Sequence, residues 1–161
     1  MALWIADGQK GLCTNEAVGL TPPCFALCQA QGRLFAAGQQ RGYCLHMETK
    51  TPLFDFPLPG GVFDLAPFGE HLCALSTEAD CLCALSPKNG VLCLSAPAGN
   101  YPRCLAVSPC GRYAAVAGGA AGEVLVFDRS LHCIRKTKVA GTAVAVCFLP
   151  RGLAVLCAAG D

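Results

Sequence analysis

The chain has 161 residues, of which 53% are hydrophobic and 14% charged, where a soluble domain carries about 25% charged residues. Twelve Lys and Arg against eleven Asp and Glu leave a formal net charge of +1, which creates no field to steer nucleic acid or an anionic membrane, so neither is expected as a partner. The apolar residues fall in short runs broken by Gly, Pro or charge; this excludes disorder, and no run reaches the ~18–20 residues of a spanning helix.

The first ten residues, Met-Ala-Leu-Trp-Ile-Ala-Asp-Gly-Gln-Lys, lack the basic start, apolar core and small-residue cleavage site of a secretory signal, so a cytoplasmic location is expected. Residues 3–13 read as two apolar strands around an Asp-Gly bend. A repeat then begins. Residues 26–37, Ala-Leu-Cys-Gln-Ala-Gln-Gly-Arg-Leu-Phe-Ala-Ala, form strand, polar turn at Gly32 and strand. Residues 34–47 continue it as a second hairpin, and the polar Thr-Lys-Thr-Pro of 49–52 reads as the crossing to the next unit. Residues 65–75 repeat the pattern at Gly69 and are followed by a hairpin over 82–94, where Asn89-Gly90 supplies the positive φ values of a tight turn. The Pro-containing stretch at 96–99, Ala-Pro-Ala-Gly, reads as the next crossing. Residues 105–116 repeat the pattern at Gly111, residues 114–128 form another hairpin, and residues 135–138, Arg-Lys-Thr-Lys, make the outer part. Residues 146–156 repeat it once more at Gly152. The turn glycines are spaced by about 37, 42 and 41 residues, the period of propeller blades.

A helical fold is excluded because 18 Gly and 11 Pro interrupt each apolar run before three turns could form. The expected fold is all-β: four-stranded antiparallel blades of a β-propeller, about four of them, with approximate repeats 1–23, 24–61, 62–102, 103–143 and 144–161. The chain reads as opening on the second strand of one blade and stopping after the second strand of another. Ending at residues 156–161 in a turn position, it is expected to be part of a longer protein; if complete, its open edges would be prone to pair with another copy, and a four-bladed ring or a homodimer would close them.

Residues 108–112, Ser-Pro-Cys-Gly-Arg, carry a family resemblance. They resemble the Ser-Pro-Asp-Gly-Arg turn of bacterial YVTN-type and related WD-repeat-like β-propellers, and residues 123–128, Glu-Val-Leu-Val-Phe-Asp, resemble the Val-x-Asp strand ending of the same proteins. The match is strongest over 103–152 and weaker, in register, over 24–102. Cys110 stands where the family has Asp, and the Gly-His and Trp-Asp pairs of eukaryotic WD repeats are absent. The resemblance implies a larger ring, commonly seven-bladed.

Thirteen cysteines in a short secreted chain would mean a disulfide framework. Here the count is odd and no secretion signal precedes it, so thiols are expected. Cys73, Cys83, Cys93, Cys104, Cys147 and Cys157 lie in apolar runs and are expected to be buried as small hydrophobes. Cys81 and Cys83, two apart on a strand, project to one face. Neither they nor Cys24 and Cys28 have a second pair at zinc-ligand spacing, and His46, His71 and His132 fall in separate repeats, so no metal or cofactor is expected. Residues 118–122, Gly-Gly-Ala-Ala-Gly, lack the Lys-Ser/Thr of a phosphate loop and read as a hairpin bend. Asp7, Asp64, Asp80 and Asp128 are expected to bond their own turns. No catalytic set assembles.

The candidate contacts are Arg33, Arg41, Arg103, Arg112 and Arg151, with His71 and Tyr113, because they sit at or beside recurring turns that stacked blades would bring to one face. The function expected is a non-enzymatic scaffold recognising a protein or small molecule. The alternative is a hydrolase resembling the lactonase-type propellers, its acidic, Arg and His residues around the central channel. A third reading is a redox or metal sensor using the thiols.

Overall fold

The computed structural model describes the backbone of residues 2–7 and 12–17, and residues 20, 24–119 and 122–158 with their side chains. The described residues hold fourteen strands and no helix: β1 (Ala2–Asp7), β2 (Leu12–Ala17), β3 (Cys24–Ala30), β4 (Arg33–His46), β5 (Pro52–Phe68), β6 (His71–Ser76), β7 (Cys81–Leu85), β8 (Leu92–Pro97), β9 (Pro102–Val107), β10 (Ala114–Gly118), β11 (Glu123–Phe127), β12 (Cys133–Lys138), β13 (Thr142–Leu149) and β14 (Gly152–Ala158). Among the described residues there is thus no helix long and apolar enough to cross a membrane.

All strand pairs are antiparallel neighbours in sequence. The third blade shows the plan most plainly, with β9, β10, β11 and β12 in spatial order. In the second, the part of β5 from Val62 to Phe68 takes the first place, followed by β6, β7 and β8. Strand β5 is long because its first part, Pro52 to Pro57, pairs with β4 and closes the blade before. Strand β4 is divided likewise: Gln39, Gln40 and Arg41 are exposed, Gln40 has a φ of 57°, the stretch before them pairs with β3 and the stretch after with β5. Residues 24–57 thus supply four strand segments. Hairpins β1–β2 and β13–β14 flank these three blades.

The Thr-Lys-Thr-Pro stretch is a turn within a blade, between β4 and β5, while the passage to the next blade occurs near Gly60 inside β5.

The middle strands are buried on both faces, so their sequences run apolar without alternation. In β6, Leu72 and Ala74 face the first blade while Cys73 and Leu75 face the third; in β7, Cys83 and Leu85 face the first while Leu82 and Ala84 face the third. Each core is therefore shared by two blades: Phe35, Cys44 and Phe56 with Val62, Leu72 and Leu85 in one, Phe68 and Leu75 with Val116, Leu125 and Phe127 in the next. A smaller cluster joins Ala117 and Val124 to Ala143, with Val146 and Leu153 against it.

Burial by apolar neighbours in sequence fails for two cysteines. Cys93 is exposed because β8 is an outermost strand, and Cys147 is exposed on β13. Cys73 and Cys83 are buried; Cys104 and Cys157 are half-buried. The Asn89-Gly90 turn also differs from expectation. Only Gly90 takes a positive φ, 71°, and six residues, not two, join β7 to β8. Gly32, Gly69 and Gly111 have positive φ values, whereas Gly152 begins β14 in ordinary strand geometry.

Phe56 locks the first two blades together. Its ring is 2% exposed and lies against the backbones of Gly42, on the neighbouring strand, and Gly90, in the β7–β8 loop of the next blade. A Cβ at either position would overlap the ring. Overpacking of this kind costs about 1–3 kcal/mol, and Gly90 adds about 1–2 kcal/mol for a side chain at positive φ. Gly42→Ala and Gly90→Ala are each expected to lower the urea midpoint, Gly90→Ala further; an unchanged midpoint would mean that Phe56 is not held between them.

Candidate functional site

Antiparallel order sorts the connections to two ends of the stack. Turns joining first to second strands (residues 31–32, 69–70, 108–113 and 150–151) and third to fourth strands (47–51, 86–91 and 128–132) share one end; second-to-third turns and blade crossings share the other. Contacts across blades confirm the register. A Cβ on Gly111 would lie 3.5 Å from the amide nitrogen of Gly69, and the Thr77 hydroxyl, in a second-to-third turn, donates to the Pro102 carbonyl at 2.7 Å.

Arg33, His71, Arg112, Tyr113 and Arg151 lie at the first end. Arg41, in the turn within β4, and Arg103, beside a blade crossing, lie at the other, so the seven residues do not share one face as expected. Repeat position alone does not distinguish the two ends. Arg41 pairs with Asp55 at 3.0 Å, both half-exposed, an arrangement of little energetic weight. The Arg103 guanidinium rests over the Tyr101 ring, 5.5 Å from its centre. Arg33, half-buried, lies against the Cys44 thiol. His71 lines a shallow cleft of about 440 Å³ with Gln31, Glu70, Ser86, Lys88 and Cys93.

The Ser108 turn is organised by its own hydroxyl, 6% exposed at the residue level. Its oxygen accepts from the amides of Arg112 at 3.2 Å and Tyr113 at 2.9 Å, and lies 3.4 Å from the Cys110 sulfur. The Ser108 hydroxyl, with the Arg112 amide after it, holds the exposed Cys110 thiol below the usual thiol range. Arg129 was not singled out in the sequence. Its Nε donates to the Gly111 carbonyl at 2.9 Å and its guanidinium lies against Gly69, tying the same turn of two blades together. The Asp128-Arg pair at the end of β11 was the available signal.

Of Asp64, Asp80 and Asp128, only Asp128 serves its own turn, accepting from the amides of Ser130 and His132 at 2.9 Å. Asp64 and Asp80 act between blades instead. One Asp64 oxygen accepts from its neighbour Leu65 at 2.9 Å, and the other from Leu105 on the next inner strand at 2.8 Å. Asp80 accepts from the Tyr101 amide at 2.7 Å. Asp7 lies outside the residues whose side chains are described. Burial raises the Asp64 carboxyl above its ordinary range, opposed by the two amide bonds.

Two other features carry chemistry. The Cys81 and Cys83 sulfurs are 3.5 Å apart. An open apolar groove of about 870 Å³ runs between the third blade and the β13–β14 hairpin, lined by Val124, Val126, Ile134, Phe148 and Leu153, with Tyr113 at its end. Among the described residues, no three of His, Cys, Asp and Glu are grouped to hold a metal.

No protein-family model matches the sequence, and no curated protein does. Solved structures match over most of the chain. The Pan2 WD40 domain of Neurospora crassa superimposes with a TM-score of 0.79 at 15% identity, covering 97% of this chain and 53% of that one. The β-propeller domain of Cps50 (Swd1) from Myceliophteria thermophila gives 0.77 at 13%, covering 94% and 58%. The fold is that of a WD-repeat-like β-propeller. Kuenenia stuttgartiensis hydrazine synthase also matches, with a TM-score of 0.78 at 17% identity, covering 89% of this chain and 46% of that one. The chain thus spans about half the length of these structures.

The raised Asp64 carboxyl sets a sign for stability against pH. The stability from holding it protonated is fully present below the ordinary value of 3.8 and is lost as pH rises through the raised value. Asp64→Asn removes that titration. Unfolding midpoints of the variant, relative to wild type, are expected to improve from below pH 3.8 to neutrality; a worsening would show that the ionised carboxylate's two amide bonds outweigh its burial.

Proposed function

We propose that this chain is a non-enzymatic propeller scaffold that recognises an acidic segment of a protein partner at the end bearing Arg112 and Arg151. The observation that carries this reading is the exposure there of Lys88, Arg112 and Arg151 without an ion pair among the described residues, beside half-buried His71 and exposed Tyr113. Arginine and tyrosine are the side chains most suited to such contacts, since each offers directed polar groups on an extended flat surface. The strand order supports repeat units at 24–61, 62–102 and 103–143 between partial units at 1–23 and 144–161. The Ser-Pro-Cys-Gly-Arg turn supports a place among the YVTN-type propellers in a ring of about seven blades, and we take the cytoplasm as the site of action.

The lactonase-type alternative finds less support. Its acidic, Arg and His residues would surround the channel, but the inner strands β3, β9, β13 and the inner part of β5 contain no histidine. Their Asp64 carboxylate already accepts two backbone amides. Capture from a native extract by wild type and by the Lys88→Glu, Arg112→Glu, Arg151→Glu variant tests the proposal. At least a tenfold loss of a defined set of captured proteins is expected, reversed when the charges are restored to Lys and Arg. Equal capture by both proteins, or turnover of a sugar lactone by the wild type, overturns it.

A further inference from the structure

The geometry points to Cys81 and Cys83 as a reversible disulfide site within a single strand, at the contact between the first two blades. Their sulfurs are 3.5 Å apart on one face of β7. Residues two apart in a strand have Cα atoms about 6.4–6.8 Å apart, the upper end of the ~4.4–6.8 Å that a disulfide bridges. The bond forms only if the sulfurs close to about 2.05 Å and β7 contracts locally. Strand β7 is held on both sides by β6 and β8, so the contraction is resisted and the disulfide is strained. Strained disulfides are the easily reduced, regulatory ones.

The two thiols differ in the way such a site requires. Cys81 is half-buried, whereas Cys83 is 1% exposed. Burial, with Cys81 beside it, pushes the Cys83 thiol up to about 12, so Cys81 meets the oxidant first. A peroxide takes two electrons from the Cys81 sulfur, giving a sulfenic acid and one water or alcohol. The Cys83 sulfur then displaces the sulfenic hydroxyl, which leaves with the Cys83 proton as water, and the S–S bond forms. Cys73 does not compete on geometry. It lies on β6 and packs toward the third blade, whereas Cys83 packs toward the first.

The test uses the whole chain with all its thiols. Reduced, folded protein is exposed to hydrogen peroxide, then unfolded in N-ethylmaleimide and cleaved after Glu78 and Lys88. The resulting peptide, residues 79–88, contains only Cys81 and Cys83 among the cysteines. The expected product is two hydrogens lighter and carries no maleimide, and glutathione added before unfolding restores the doubly labelled form. Cys83→Ser is expected to stop at a Cys81 sulfenic acid trapped by dimedone. The wild-type result stands even if that variant does not fold. A peptide labelled twice after peroxide, a link from either residue to another cysteine, or a disulfide that glutathione does not reduce overturns the inference.

Discussion

Phe56 shows the constraint on which the structure rests: no blade can bury its own two faces. A four-stranded sheet with apolar side chains on both sides needs a neighbour on each. Phe56 meets that need by filling the space between Gly42 of its own blade and Gly90 of the next, where any side chain on either glycine would collide with the ring. The alternation along β6 and β7 extends the arrangement, since successive residues enter the cores on opposite sides. Stability is therefore a sum over blade interfaces rather than a property of any one sheet.

Polar groups then fix how one blade sits on the next. Apolar packing is not directional, but the bonds from Asp64 to the Leu105 amide, Asp80 to the Tyr101 amide and Thr77 to the Pro102 carbonyl each allow one register. All three connect the second blade with the inner strand of the third or its entry, and at the opposite end Arg129, bonded within the third blade to the Gly111 carbonyl, packs against Gly69 of the second. With both ends pinned, the exposed turn residues become fixed relative to one another across blades. A recognition surface made of several short turns depends on that.

The strands and hairpins were legible because punctuation in this sequence is strong: a polar turn interrupts each apolar run, and glycine takes positive φ at Gly32, Gly69 and Gly111. What lay beyond reach was anything joining distant residues. Asp64 and Leu105 are 41 residues apart, and a turn rule built on near neighbours sends such an aspartate to its own backbone. Cys93 and Cys147 read as buried from apolar surroundings in sequence, although those surroundings are shared by middle and outer strands alike. The division of the seven candidate contacts between two ends was hidden for a related reason. Arg41 and Arg112 both sit in turns, but one turn joins second to third strand segments and the other first to second.

The abundance of cysteine follows from the same packing demand. Middle strands must place small side chains on both faces where sheets approach closely, and alanine and a protonated thiol serve that purpose at similar cost. Burial raises the Cys73 and Cys83 thiols, which suits packing and opposes reactivity. Cys81 departs from this pattern because it stands at the open end of β7 with its sulfur over a buried one. Both side chains pack into the core that Phe56 enters. A contraction of β7 would be felt where the first two blades meet, in a core whose close packing leaves little room to absorb it.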